Sequence, residues 1–445
     1  MADKLLVRAY NVEVGDCIYC RIPKARKVGA VVDDFHMLID CGSLGGIAHL
    51  KAALANIETL LPDAGGGKKR LDLLVATHEH KDHIAGFDPA LFQNIKIEHI
   101  WMNTAMDPQH PQADNAFELH RLATVAMRNI AALNLSLSPE LEELVALYGI
   151  DNDGAMQALR NTLPANNGIS AKYVHAGMTP SQLGLPLHDA TIRVLGPEQD
   201  IDHFYLGEEV DDTLHNLIAA GAAFRVGAPA ARPVYPSNIS QADFRQLQSR
   251  MLSSAFAFAE LSSTVTNNTS LVLLIEWKGK RLLFVGDAEW NTKFKEGKAN
   301  GAWNVMWHER KSRLNDGVDF LKIGHHGSEN ATPWNDLEDG IVTEPSTILD
   351  AILPQVAGNS QPTAKAVVST KRKNYETIPR SALLAEIGRR VGNVRNYKQA
   401  LGNKASQLPK FTEFEKPWLS DPQPLRTDCE NALSGADFVD VEIES

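Results

Sequence analysis

The chain has few cysteines and no long hydrophobic segment. Only four of its 445 residues are cysteine, and three of these lie near the N-terminus, at Cys17, Cys20 and Cys41. This number and placement exclude the dense disulfide framework of small secreted domains. No apolar run approaches the roughly 18 residues that a membrane helix requires, and the first residues lack the apolar core of a signal peptide. We therefore expect a cytoplasmic protein that does not associate with a membrane.

The chain also lacks an excess of positive charge. Its formal net charge is -11, with 44% hydrophobic and 22% charged residues. These proportions are typical of a globular protein. The net negative charge argues against non-specific coating of nucleic acid, although it is compatible with a local basic channel.

One short segment contains four side chains that are common metal ligands. An apolar run at 73–76 predicts a buried strand, and it is followed by Thr77 and by His-Glu-His-Lys-Asp-His at 78–83. A single histidine in such a place usually caps a strand or pairs with a surface carboxylate. Three histidines interleaved with an aspartate can instead converge on one point. The candidate metal ligands are His78, His80, Asp82 and His83.

Two later segments place residues of the same kind at predicted strand ends. The second strand of a predicted hairpin closes on Gly286 and Asp287, and a further predicted strand ends in Gly-His-His-Gly-Ser at 324–328. A carboxylate just after a buried strand can point into a cleft without being buried unpaired. Asp287, together with His325 or His326, could therefore complete a site for two metal ions.

Strands and a helix alternate in the first hundred residues. The apolar spacing at 47–62 has helical periodicity, and Asp40 ends a strand, where it would brace a neighbouring loop. This alternation indicates an α/β fold. The predicted strands cover residues 5–10, 17–22, 34–40, 73–76 and 95–102.

The middle and the end of the chain depart from this alternation. Residues 101–265 form a predicted insertion into a domain that spans 1–420. Within it, 114–163 is amphipathic and helical, packed on the sheet or covering the metal site, and 198–265 is irregular and offers a surface for a protein partner. The last residues, 421–445, open with two prolines and close on an acidic run, which predicts a loosely held acidic tail.

Together these motifs resemble the metallo-β-lactamase superfamily. That resemblance implies a four-layer αββα sandwich of two mixed sheets. More narrowly, Asn-Thr-Ser-Leu-Val at 268–272, Phe-Val-Gly-Asp at 284–287 and Leu-Lys-Ile-Gly-His-His-Gly-Ser at 321–328 resemble the hydrolase domain of the competence DNA-uptake protein ComEC. The turn at 12–16 departs from this branch, because it is Val-Glu-Val-Gly-Asp where the branch usually has Val-Gly-Gln-Gly-Asp. No membrane channel accompanies these motifs, so DNA uptake is not implied.

The resemblance implies a role for each candidate ligand. Two divalent metal ions, zinc or manganese, would share a bridging water as the nucleophile, since a metal ion lowers the pKa of water toward ~7. His326 aligns best as the remaining ligand of the second ion, and His325 would lie nearby as a catalytic residue, although the sequence leaves open which of the two binds the ion. In this scheme His78 and His80 hold the first ion, Asp82 and His83 hold the second, Asp287 bridges them, and Asp82 orients the water.

The first ion would have one unusual ligand. Zinc-dependent members of the superfamily have a third imidazole in the place that matches Asn268. An amide oxygen is a harder donor than imidazole, so the resemblance favours manganese at this site. The alternative is that another histidine, such as His175, supplies the third imidazole.

Three functions from different classes follow. The first is a phosphodiesterase or nuclease that acts on nucleic acid or a nucleotide. The second is a hydrolase of small esters, lactones or amides, and the third is a non-enzymatic module that binds a partner. A basic segment after a predicted strand could hold phosphates in the first case or form a solvated loop in the others. Its residues are Lys371, Arg372, Lys373 and Tyr375.

Overall fold

The described part of the chain has a mixed α/β fold built on two seven-stranded sheets and one three-stranded sheet. The computed structural model describes residues 3–111, 114–132, 136–148, 151–207, 255–257, 259–334, 342–356, 360–372, 378–402, 404 and 420–445. In chain order the strands are β1 Lys4–Tyr10, β2 Cys17–Val28, β3 Val31–Cys41, β4 Asp63–Gly65, β5 Lys68–Leu71, β6 Leu73–Ala76, β7 Ile95–Ile97, β8 Ile100–Asn103, β9 Ala171–Val174, β10 Ala190–Gly196, β11 Val272–Trp277, β12 Lys280–Phe284, β13 Phe320–Ile323, β14 Lys365–Val368, β15 Val394–Arg395, β16 Gln423–Arg426 and β17 Phe438–Glu444.

The first sheet brings the ends of two functional strands to one edge. Its order is β17-β1-β2-β3-β6-β8-β9, and β3, β6, β8 and β9 run parallel to one another. The carboxyl ends of parallel strands lie at the same edge of a sheet. Asp40, near the end of β3, therefore lies beside Thr77, which follows β6.

The second sheet likewise brings the residues of the two later motifs to one edge. Its order is β10-β11-β12-β13-β14-β16-β15, with β12, β13, β14 and β16 parallel. The predicted hairpin is confirmed as β11 and β12, which pair antiparallel. Asp287 follows β12 and His326 follows β13, so both leave the sheet at one edge.

Hydrophobic clusters cover both faces of both sheets. One cluster joins the sheets, since it contains Val75 from β6 and Leu273 from β11. Their neighbours in sequence, Leu74 and Leu274, belong to two other clusters. Each of these clusters covers the face of its sheet that is opposite to the shared cluster. The strict alternation of side chains along a strand explains why neighbours divide between clusters. Every residue of β6 is buried, as the apolar run at 73–76 predicts.

Helices pack on the outer faces of the sheets. Of the helices that the structure describes, none is long and apolar enough to cross a membrane. The helices are α1 Ile47–Leu60, α2 Lys81–Ile84, α3 Asp114–Ala132, α4 Pro139–Leu147, α5 Asp151–Gln157, α6 Leu163–Asn167 and α7 Pro180–Leu183, followed by Ala302–Leu314, Glu344–Ile352, Ser381–Gly388, Tyr397–Leu401 and Thr427–Ser434, with 3-10 turns at Thr104–Met106 and His325–Gly327 and π-turns at Ala158–Thr162 and Asp202–Leu206.

The predicted insertion is helical in its first half. Helices α3 to α6 account for most of 114–163, and Leu119 and Leu159 join the clusters that cover the second and the first sheet. The prediction of an irregular stretch at 198–265 is wrong for its end, because residues 259–268 are helical. The proposed partner surface falls largely at 208–254, outside the described residues.

Two other predictions are wrong. The single strand at 95–102 is two strands, because Glu98 and His99 carry the chain from β7, which pairs with β5, to β8, which pairs with β6. The tail at 421–445 is not loose. Strand β17 pairs with β1 along all seven of its residues and buries Val439, Val441 and Ile443 against the sheet core.

Candidate metal centre

The segment after β6 buries four polar side chains. His78, His80, Asp82 and His83 each have at most 3% of their surface exposed. Helix α2 begins directly after His80, and its first turn directs Asp82 and His83 inward. Burying four ionisable groups together is unfavourable unless they are paired or bind a metal ion.

Four side chains from three parts of the chain form a compact cluster. Asp82, His83, Asp287 and His326 each offer one ligand atom, and these atoms lie within 4.8 Å of one another. Nε2 of His326 lies 2.8 Å from Oδ2 of Asp82, and Nε2 of His83 lies 3.1 Å from Oδ2 of Asp287. All four residues are buried, so the cluster has the composition and enclosure of a metal site.

A pair of histidines lies against this cluster. Nε2 of His78 is 3.2 Å from Nδ1 of His80 and 3.8 Å from Oδ2 of Asp287. Two nitrogens bound to one tetrahedral zinc ion at about 2.0–2.1 Å would be roughly 3.3 Å apart. The spacing of the pair therefore fits one ion. Oδ2 of Asp287 is thus within 4 Å of Nε2 of both His78 and His83.

Several polar atoms at this centre form no hydrogen bond with the residues that the structure describes. They are Nε2 of His80, Oδ1 of Asp82 and Nε2 of His83, all buried. Buried polar atoms are nearly always hydrogen-bonded, so each exception requires an explanation. A divalent cation beside Asp82 and His83 would satisfy the atoms of those two residues together. Nε2 of His80 lies on the other side of its ring from Nδ1, the nitrogen that faces His78.

Surrounding groups fix the orientation of three imidazoles. Nδ1 of His83 donates to Oδ2 of Asp40 at 2.8 Å, and Nδ1 of His326 donates to the carbonyl of Ser369 at 3.1 Å. Nδ1 of His78 lies 3.1 Å from Oγ of Ser270. In each case Nε2 is left to face the centre, which is the arrangement that metal-binding histidines adopt.

Asp40 is itself held tightly. Its carboxylate accepts hydrogen bonds from the backbone N–H and from Oγ1 of Thr77, both at 2.7 Å. The expectation that Asp40 braces a neighbouring loop is confirmed by these bonds. Its contact with His83 was not expected, and it links the ends of β3 and β6 to the cluster.

Burial and neighbouring charges set the protonation of the centre. Burial lowers the pKa of His80 to about 4 and that of His78 well below its usual value, so both imidazoles are neutral near pH 7. Neutral imidazole is the form that binds a metal ion. Burial opposes ionisation of Asp82 and Asp287, but the adjacent imidazoles outweigh it and lower the pKa of both carboxyls. The same carboxylates outweigh burial at His83 and raise its pKa.

The two adjacent histidines of the last motif lie in different environments. His326 belongs to the cluster, whereas His325 lies beside it with Nδ1 3.2 Å from Oε1 of Glu289. Burial would lower the pKa of His325, but Asp287 and Glu289 outweigh it and raise that pKa to about 9. The structure therefore brings His326, and not His325, to the position of a metal ligand.

The structure does not support Asn268 as a ligand. Its side-chain oxygen accepts hydrogen bonds from the backbone N–H of Glu289 at 3.1 Å and of Ala302 at 2.7 Å. Its nitrogen donates to the carbonyl of Thr264. These bonds anchor the end of the helical segment 259–268, and the two backbone donors occupy both lone pairs of the amide oxygen. His175, the alternative, has Nδ1 at 2.8 Å from the carbonyl of Ala176 and is not among the clustered residues.

Two residues of the predicted phosphate-binding segment, Lys371 and Arg372, lie in the described part of the chain. Lys371 pairs with Glu13. Arg372 is buried, with 1% of its surface exposed, and donates to the carbonyl of Pro379, which argues against a direct contact with substrate. Lys373 and Tyr375 lie outside the described residues.

Sequence reasoning missed a buried ion pair next to the centre. Nζ of Lys322 lies 2.9 Å from Oδ2 of Asp16, and both side chains are 2% exposed. A ligand atom of Asp16 also lies within 4.8 Å of Asp40 and His83. The sequence contained a signal for this pair, because a lysine inside the apolar strand β13 requires a buried partner.

No protein-family model matches this chain, and no curated protein matches it.

Proposed function

We propose that the chain is a hydrolase that uses two divalent metal ions, and that its substrate is a phosphodiester. The observation that carries the proposal is the position of Oδ2 of Asp287, 3.1 Å from Nε2 of His83 and 3.8 Å from Nε2 of His78. A carboxylate within 4 Å of an imidazole from each ligand group could bridge a pair of ions a few ångströms apart. The ligands would be His78 and His80 for one ion, Asp82, His83 and His326 for the other, and Asp287 for both.

The proposed fold is the four-layer αββα sandwich of the metallo-β-lactamase superfamily. Three observations support it: both large sheets are mixed, one hydrophobic cluster joins them, and separate clusters cover their other faces with helices. The edge at which β6, β12 and β13 end carries the candidate ligands, as the resemblance implies.

When bound, two such ions activate water at neutral pH and stabilise the oxygens that carry charge in the transition state. Residues of the chain would orient the attacking water and protonate the leaving oxygen. Asp82 has two carboxylate oxygens, so one could hold the ion while the other orients the attacking water. Glu289 fixes the ring of His325 through Nδ1, and Nε2 of His325 can then donate a proton to the leaving oxygen.

The choice of a phosphodiester rests on the resemblance to the ComEC-like hydrolase branch. The superfamily also includes hydrolases of small esters, lactones and amides, which remain the second candidate. A partner-binding module without activity is the third, and the buried cluster with its unpaired ligand atoms argues against it, because a buried charged cluster without a metal ion would destabilise the fold.

Turnover by the purified full chain tests the proposal. Bis-p-nitrophenyl phosphate, a p-nitrophenyl ester and a chromogenic lactam would be compared after chelation and after addition of manganese or zinc. We expect metal-dependent hydrolysis of the phosphodiester with the highest kcat/KM. Preference for the ester or lactam would support the second candidate, and no turnover of any substrate with either ion would support the third.

A further inference from the structure

A cavity of about 330 Å³ lies between α3, the residues around α5 and the segment that carries the metal ligands. Glu79, which stands between His78 and His80, forms part of its wall. Nδ2 of Asn152 donates to the carbonyl of Glu79 at 3.3 Å, so the helical insertion is bonded directly to the ligand segment.

Aromatic rings connect this cavity to the candidate metal centre. The ring of Tyr148 lies edge-on to His80, with centroids 6.2 Å apart. The same ring also lies beside the imidazole of His120, with centroids 5.3 Å apart. Tyr148 and His120 both line the cavity. A group bound there would be separated from the candidate ligand His80 by the side chain of Tyr148. The cavity is therefore close enough to hold the part of a substrate that flanks the reacting bond.

Three arginines line the same cavity: Arg121, Arg128 and Arg160. Arg128 pairs with Asp153 at 2.7 Å, and 69% of the Asp153 side chain is exposed. Arg121 pairs with Glu118 across one turn of α3, where both side chains are also exposed. Exposed ion pairs of this kind contribute little to stability, so a phosphate could replace either carboxylate with little loss.

The rest of the lining suits a flat ring. Phe117 lies beneath the guanidinium of Arg160, which is 5.7 Å from the ring centroid, and Nη2 of Arg160 donates to the carbonyl of Met106. Arginines combined with aromatic faces recognise single nucleotides by stacking and by phosphate contacts. The volume is near the lower end of the roughly 300–1,000 Å³ typical of small-molecule sites, which suits one nucleotide and not a duplex.

We propose that this cavity binds one nucleotide unit of a short phosphodiester substrate, with the base against Phe117 and the phosphate on Arg121 and Arg128. The inference rests on the proposed phosphodiesterase activity and adds the substrate class. It also assigns a function to the helical insertion, which would select the substrate while the sheet edge supplies the metal ligands.

Direct binding separates this inference from the activity itself. Binding of 5′-AMP to the full chain as purified would be measured by isothermal titration calorimetry, and the cavity variants separate contacts in the cavity from binding of phosphate through a metal ion. Arg128→Gln should raise the Kd about tenfold, as expected for the loss of one charge-assisted hydrogen bond. Arg121→Gln is the second variant, and circular dichroism would verify that both variants are folded.

Arg193→Gln is a matched control. Arg193 also forms a 2.7 Å ion pair, with Glu276, and is 33% exposed compared with 32% for Arg128, but it lies on β10 away from the cavity. It should bind 5′-AMP like the wild type. Ribose 5-phosphate should bind the wild type more weakly than 5′-AMP, because it lacks the base.

Absence of 5′-AMP binding, or equal affinity of wild type and both cavity variants, would overturn the inference even if bis-p-nitrophenyl phosphate is hydrolysed. Equal affinity for ribose 5-phosphate and 5′-AMP would overturn the assignment of the base to this cavity. If the cavity variants lose affinity but the wild type hydrolyses no phosphodiester, the cavity assignment stands and the proposed activity fails.

Discussion

Oδ2 of Asp40 lies 2.8 Å from Nδ1 of His83, on the opposite side of the ring from Nε2, which faces Asp287. A carboxylate can only accept a hydrogen bond, so Nδ1 carries a proton, and Nε2 is the ring nitrogen left to face Asp287 or a bound metal ion. Asp40 thus sets both the tautomer and the direction of a candidate ligand without entering the cluster of Asp82, His83, Asp287 and His326.

Asp40→Asn should therefore weaken metal binding. The amide cannot accept from His83 while its oxygen is bonded to Thr77, so we expect a loss of about 10–100-fold in affinity. Competition with a fluorescent chelator would measure it. Asp72→Asn is the control, because Asp72 is equally buried but pairs with Arg26 and Arg70. Equal losses in both variants would mean that Asp40 acts only through stability.

The buried pair of Lys322 and Asp16 should matter for folding. Lys322→Met leaves the Asp16 carboxylate buried without its cation, which should lower the free energy of unfolding by about 3–5 kcal/mol. Urea unfolding in EDTA would measure this loss. Lys4→Met is the control, because Lys4 pairs with Glu442 at 2.7 Å but both side chains are exposed, so the free energy of unfolding should change far less than in Lys322→Met. Similar values would refute a special role for the buried pair.

His36 should make stability depend on pH. Burial lowers its pKa to about 4 in the folded chain, compared with about 6.5 unfolded. The unfolded chain therefore binds a proton first as pH falls, and stability decreases from about pH 6.5 to about pH 4, by roughly 3 kcal/mol in total. His36→Gln should flatten this part of the profile. Met37→Leu, at the next position of β3, should keep the wild-type slope, and an unchanged slope in His36→Gln would contradict the assignment.

The ligand segment could be predicted because its signal is local. The apolar run of β6, followed directly by four candidate ligands, requires no knowledge of distant partners. The strand at 95–102 was predicted as one because hydrophobic spacing does not reveal which sheet a strand joins, and β7 and β8 join different sheets. The orientation of Asn268 was equally inaccessible, since its bonds to Glu289 and Ala302 depend on tertiary packing.

The end of the chain did contain a usable signal. Valine and isoleucine alternate with acidic residues from 439 to 444, which is the period of a strand with one buried face. The acidic composition suggested a solvated tail instead. In the structure Asp440 and Glu442 pair with Arg8 and Lys4 on β1, so the negative charges have partners that the local sequence could not reveal.

The metal content of the full chain tests the central claim most directly. Protein purified without chelator would be analysed by elemental mass spectrometry, together with a His78→Ala/His80→Ala variant and Asp287→Ala. We expect about two divalent ions per wild-type chain, about one in the double variant, and fewer than two, with no turnover but a retained fold, in Asp287→Ala. A ratio near zero in the wild type, unchanged in the variants, would contradict the account.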